Sequence, residues 1–219
     1  MKAFVITISG HSASEAGARH CIQSVQDTDS ELDVEIWPAV TPETLFDCDW
    51  TWPLEKKKIC HKTNLTLTAY KNADPRRRIA CAQSHWLLWQ LCVELKQAIC
   101  ILEHDAVFTQ KFVADKLDGG AVSINSPLGA TFRDQQYDQA LMPGLNHVPW
   151  VAEHDIPQGL PGNSAYVLQP WAAQQLIDAQ QHIGWWPNDA IMCRQLFPWL
   201  RVLKPYCTTL QHMRSSTKH

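Results

Sequence analysis

Residues 98–102 of this chain, AICIL, form an apolar run that ends abruptly in Glu103, His104 and Asp105 before Ala106, Val107 and Phe108 turn apolar again. A short, uninterrupted run of this kind reads as a strand inside a sheet. Desolvating a carboxylate is costly, so the acidic end is either paired with basic residues or binds a cation. Alternate side chains of a strand share a face, so Glu103 and Asp105 are expected to point together into a crevice while His104 points away. Two hard oxygen ligands at that spacing suit Mg²⁺ or Mn²⁺. Pairing of the same carboxylates with Arg76, Arg77 and Arg78 is the structural alternative.

The surrounding pattern says what kind of sheet this strand belongs to. AFVITI (3–8) is a β-branched run followed by Ser9, Gly10 and a helix-compatible stretch over 14–25, and LDVEIWPAV (32–40) alternates as a second strand. Apolar Ala82, Trp86, Trp89 and Val93 predict one long helix over 79–96, running directly into the acidic strand. A short helix is expected near 110–116, strands at 121–124, 164–170 and 200–205, and helices at 171–181 and 188–197. Residues 41–74 read as irregular and surface-exposed, and the long connection 125–162 as a functional loop over the site. Strands alternating with helices predict an α/β fold around a mainly parallel sheet, whose ligands collect at the carboxyl ends of the strands.

With 219 residues and no Pro/Gly/Ser-rich linker, the chain is expected to form a single domain over 1–219. A net charge of −3 gives no field that would draw in nucleic acid, and the basic clusters at 54–62 and 74–78 are as readily solvated loops as an anion site. The opening MKAFVITISGHS is too short in apolar residues for a secretory h-region, so a cytoplasmic protein is expected. Its eight cysteines contain no CxxC pair and read as reduced, mostly buried thiols, and the sequon at Asn64 is then not glycosylated.

Four stretches in order, RRRIACAQSHWLLW (76–89), AICILEHDAVF (98–108), GNSAYVLQPWAAQQLI (162–177) and WPNDAIM (186–192), resemble the lipopolysaccharide-type glycosyltransferases of family 25. The resemblance covers roughly 76–205, with weaker agreement at the first two strands. It implies a GT-A-like fold, Rossmann-like with helices flanking the sheet. It also implies a nucleotide-diphosphate sugar donor, a UDP-sugar being commonest, and metal-assisted transfer to an acceptor hydroxyl with inversion. The acceptor would be a lipopolysaccharide or other glycan.

By that resemblance Glu103 faces the ribose or the metal, and Asp105 ligates Mn²⁺ or Mg²⁺ with His212 as a further ligand. Asp189 is the candidate general base, because inverting transfer needs a base within reach of the attacking hydroxyl. An acid opening a helix is also an ordinary capping residue. Thr7, Arg77, Arg78, Ser84, His104, Asn163 and Arg214 are the remaining donor-binding candidates. His104 stands where the family usually carries Asp. His85 is expected to pack internally, its nitrogens satisfied by neighbouring backbone. Trp150, Trp185 and Trp186 fall in loops where indoles could stack on sugar rings, while Trp86 and Trp89 read as core. Two rivals remain open: a non-catalytic sugar-nucleotide or glycan-binding protein, and a metal-dependent nucleotidyltransferase, the latter without a Walker-type glycine loop.

Overall fold

The structure is a computed structural model that describes residues 1–47, 58–67, 74–114, 117–129, 133–150, 160–161 and 163–211. The elements in chain order are β1 (Lys2–Thr7), α1 (Ser12–Asp27), β2 (Asp33–Pro38), β3 (Lys58–Ile59), β4 (Thr66–Leu67), α2 (Pro75–Leu95), β5 (Ile99–Glu103), β6 (Ala106–Phe108), β7 (Ala121–Ser123), α3 (Asp134–Gln139), β8 (Gly144–His147), β9 (Ala165–Leu168), α4 (Pro170–Ile183), α5 (Asn188–Ile191), β10 (Leu200–Lys204) and β11 (Thr208–Leu210).

A seven-stranded sheet in the order β2-β1-β5-β9-β7-β10-β8 forms the centre. The strands β2, β1, β5, β7 and β10 run one way, and β9 and β8 run against them. The sheet is therefore mixed α/β and mainly parallel, as expected, with helices on both faces. The apolar run explains its own place: Ile99 and Ile101 face the core under α2 and α4, while Cys100 and Leu102 face the core under α1. All four are fully buried, and a strand covered on both faces has no position for a polar residue until it ends.

Helix α2 begins where Asp74 caps it, accepting from the Arg76 N–H at 3.0 Å, with Pro75 at its first position. It stops at Lys96, whose φ of 53° is left-handed. Two predicted helices are corrected. Residues 110–114 are not helical, because the Phe112 N–H donates to Ser30 Oγ and its carbonyl accepts from Glu31, fixing this segment as a strap across α1's end. The helix predicted over 188–197 ends at Ile191: Met192 leaves helical geometry at ψ 65° and the chain continues as turns. The described part of 41–74 is also less exposed than expected, since Cys60 and Leu65 of the β3–β4 hairpin are buried. The described part of 125–150 supplies α3 and the antiparallel edge strand β8 rather than a cover for the crevice. Residues 151–159 lie outside the described residues.

Gly120 marks a close approach at the far end of the sheet. A Cβ there would stand 2.5 Å from Trp199 and 2.7 Å from Trp171, and Trp199 is held by its indole N–H donating to Gln175 at 2.7 Å. Gly120→Ala should therefore destabilise the fold by about 1–3 kcal/mol through overpacking, read as a lowered urea midpoint with an unchanged slope. An unchanged midpoint would mean that the two indoles move aside freely.

Candidate active site

Strand β5 ends at Glu103, and His104 and Asp105 form the turn that leads into β6. This corrects the expectation that Glu103 and Asp105 share one strand face: only Glu103 belongs to the strand, and the turn sets Asp105. The segment is fastened from outside. The Gln211 N–H donates to the Asp105 carbonyl at 2.7 Å, and its side-chain amide donates to the carbonyls of His104, Ala106 and Gly17. The Glu103 N–H donates to the Ser164 carbonyl at 2.7 Å, tying the turn to the start of β9.

The two carboxylates have opposite electrostatics. Burial pushes Asp105 up, and the Glu103 charge pushes it further, to about 7, against the pull of the Ser164 hydroxyl. Among the described residues its buried Oδ1 has no hydrogen-bond partner. Glu103 is penalised by burial too, but the hydrogen bond of His85, with help from His104 and Arg78, holds it below the ordinary range.

His85 is fully buried, one turn below Cys81 on α2. Its Nε2 lies 3.1 Å from Glu103 Oε1 and its Nδ1 2.9 Å from the Tyr166 hydroxyl, which also receives the Trp89 indole N–H at 2.9 Å. The proton order follows from the inventory of donors. The indole can only donate, so the Tyr166 oxygen accepts from it; the Tyr166 proton then goes to His85 Nδ1, and His85 Nε2–H donates to Glu103. The expectation that backbone groups satisfy this histidine is corrected: the side chains of Tyr166 on β9 and Glu103 on β5 do so, with Trp89 of α2 holding the Tyr166 oxygen.

The Cys81 thiol marks where the other charged groups converge. Burial holds it protonated, and the charges of Glu103, Asp189 and Asp105 raise it further while Arg78 opposes them. Its Sγ is 3.7 Å from Asn188 Oδ1. Asn163 is buried just before β9, its amide N–H donating to Met192 Sδ at 3.4 Å and its Oδ1 without a partner among the described residues. The charges of Glu103, Asp105, Arg78 and Asp189 thus all act on one thiol, with Asn163 linked through Met192 to the segment that carries Asp189.

Other candidates are placed differently. The Thr7 hydroxyl donates to the Val5 carbonyl at 3.0 Å, and the Ser84 hydroxyl donates to Ala80 at 2.8 Å while accepting from the Val40 N–H. Ser84 therefore pins the chain after β2 onto α2, beside Gln83, whose amide clamps the backbone N–H and carbonyl of Phe46. His104 rests against the Ile6 backbone and within reach of the His11 charge, and burial lowers its pKa. Arg77 is exposed on the first turn of α2, while Arg76 pairs with Asp74 at 2.9 Å rather than with the acidic turn. Trp185 and Trp186 are buried, Trp185 against Phe46 and Trp86, so neither offers an open face to a sugar. Trp150 is exposed, with the Arg194 guanidinium 4.5 Å above its ring. His212 and Arg214 lie outside the described residues.

Glu103 at the carboxyl end of β5 and Asp105 in the turn after it place an acidic pair at one edge of a mainly parallel sheet, the edge at which α/β sheets gather their ligands. The sequence model of glycosyltransferase family 25 (LPS biosynthesis protein) matches residues 6–126. The chain belongs to that family, and its activity class is sugar transfer. Among solved structures it is similar to a galactosyltransferase, LgtC, crystallised with donor and acceptor sugar analogs. That likeness covers 97% of this chain and 87% of the other, at 9% identity and a TM-score of 0.46. No curated protein matches the chain. Among the described residues no helix is long and apolar enough to cross a membrane.

Proposed function

We propose that the protein transfers a sugar from a nucleotide-diphosphate donor, a UDP-sugar, to a glycan hydroxyl with inversion, assisted by Mn²⁺ or Mg²⁺. The observation that carries this reading is the Oδ1 of Asp105, buried beside Glu103 and without a hydrogen-bond partner among the described residues. Two carboxylates that repel each other where one oxygen has no donor make a site short of positive charge, and hard oxygen ligands of this kind fit a small divalent cation. Asp105 would hold the ion, with Glu103 sharing it or taking the ribose. When bound, the ion supplies Lewis-acid stabilisation of the charge that develops on the departing diphosphate.

The chain's own groups do the rest. Arg78, at the first turn of α2, adds a fixed positive charge next to Glu103, where a diphosphate would be drawn. The open Oδ1 of Asn163 is an acceptor for a hydroxyl of the donor. Asp189 takes the proton of the attacking acceptor hydroxyl as its oxygen forms the new glycosidic bond and the sugar–phosphate bond breaks. His212 and Arg214 follow Gln211, which is bonded to the Asp105 carbonyl, and they are proposed as a further metal ligand and a phosphate contact.

Calorimetric titration of UDP, UDP-galactose, UDP-glucose and GDP-mannose, with Mn²⁺ or with EDTA, tests the donor. Binding of one uridine nucleotide that requires the metal is expected, whereas no binding in any combination would remove the proposal. The base has its own test. Asp189→Asn should lower kcat by about 10²- to 10⁴-fold with donor Kd unchanged, because Asp189 acts on the acceptor. A loss confined to donor affinity would instead assign Asp189 to the donor pocket.

A further inference from the structure

We propose that Cys81, His85 and Glu103 form an inhibitory site for a thiophilic divalent cation of the Zn²⁺ type, distinct from the oxygen-ligated site of Asp105. The inhibitory half rests on the donor-binding role given to Glu103 above. Cys81 and His85 are four residues apart on α2, so their side chains stack on one face of the helix. That face meets the end of β5. The thiol sulfur, an imidazole nitrogen and a carboxylate oxygen lie within 4.8 Å of one another. A tetrahedral zinc ion with bonds of about 2.0–2.3 Å spaces its ligands by about 3.3–3.8 Å. Closing the difference takes side-chain rotation of about 1 Å, within reach of the half-buried Cys81 and of Glu103, whose side chain keeps 26% exposure.

The donor set decides which ion would bind. A thiolate and an imidazole select borderline and soft metals such as Zn²⁺, Co²⁺ or Cd²⁺ over Mg²⁺ and Mn²⁺, which suit oxygen ligands. Three protein ligands leave a fourth position open toward the crevice. The surroundings favour a cation on balance, since among the described residues the charges of Asp105 and Asp189 act on the same thiol and that of Arg78 opposes them. Beyond His85, the Tyr166 oxygen stands 2.9 Å from Nδ1, where a metal-bound histidine needs a partner for its other nitrogen.

Coordination forms the metal–sulfur bond as the thiol proton leaves to solvent. The imidazole shifts its proton from Nε2 to Nδ1, and Nδ1–H then donates to the Tyr166 oxygen. The existing bond from Nε2–H to Glu103 is lost, and the Tyr166 proton loses its acceptor, which limits the affinity. Glu103 cannot serve both sites, so an ion here withdraws the carboxylate from the donor.

Co²⁺ is the probe. Titrated into the full chain, it should give one equivalent with a thiolate-to-cobalt charge-transfer band that Zn²⁺ erases. The band should be absent from Cys81→Ser and Cys81→Ala and retained in Cys60→Ser. Zn²⁺ should weaken UDP binding in the presence of Mn²⁺ at least tenfold in the wild type and leave it unchanged in Cys81→Ser. No band, or a band surviving both Cys81 variants, would overturn the site. Equal weakening by Zn²⁺ in wild type and Cys81→Ser would overturn its inhibitory role. Failure of UDP to bind without Zn²⁺ would overturn the donor reading and the inhibition with it, while the cobalt band judges the site separately.

Discussion

Asp105→Asn should abolish metal-dependent donor binding, lowering kcat/KM by at least about 100-fold, and at the same time make the metal-free protein more stable. Both effects have one cause. Asp105 is raised to about 7 in the folded protein by burial and by Glu103, whereas the unfolded chain gives it an ordinary carboxyl near 3.8. Between these values the folded state binds the extra proton, so stability falls as pH rises through this window and stays low above it. The asparagine keeps the shape and removes the charge. The difference in Tm between variant and wild type should therefore grow from about pH 5 to about pH 8. Mn²⁺ should raise the Tm of the wild type and leave that of the variant unchanged. A variant that is less stable at every pH would show that Asp105 is a structural carboxylate satisfied by its neighbours, and the metal assignment would fall with it.

The acidic strand end was legible because its signal is local. An apolar run closed by charged residues can only be a strand leaving a core, and the burial of Ile99 through Leu102 on both faces is the direct result. The long helix α2 was legible for the same reason, through its spacing of apolar residues and its Asp-Pro start. What failed was set by distant partners. Residues 110–114 carry no local mark of being strapped by Ser30 and Glu31. The short strands β6 and β11 exist only because they pair with each other. At the site, the sequence separates Tyr166 from His85 by 81 positions, and Tyr166 sits in an apolar strand where it reads as core. The four-residue spacing of Cys81 and His85 on α2 is a local signal that could have marked the helix face that meets the end of β5. Ser84 and Thr7 are expected at the donor and Trp185 at a sugar ring, and no local signal shows that the Ser84 hydroxyl meets the Val40 N–H, the Thr7 hydroxyl the Val5 carbonyl and the Trp185 ring Phe46.

Tyr166→Phe tests whether the buried chain of Trp89, Tyr166 and His85 positions Glu103 or merely fills the core. The ring is retained, so no cavity forms. The lost hydroxyl leaves the Trp89 N–H without its acceptor and His85 Nδ1 without its donor, which should cost about 1–3 kcal/mol of stability. That loss alone would fit a structural role. The discriminating readout is the acid limb of metal-dependent donor binding. Burial works against ionised Glu103, but the His85 hydrogen bond, with His104 and Arg78, outweighs it and holds the carboxyl low. Donor binding that needs the carboxylate is therefore lost only as pH falls through that depressed value. Without the Tyr166 proton on Nδ1, only the Glu103 carboxylate itself favours the tautomer whose Nε2–H donates to it, and that hydrogen bond is held less firmly. The carboxyl should then titrate higher, and donor binding should fail at a higher pH than in the wild type. His85→Ala should move the limb further in the same direction, with a larger stability loss from the cavity. Destabilisation with the acid limb unmoved in both variants would return the three side chains to the core and leave Glu103 positioned by the β5 backbone alone.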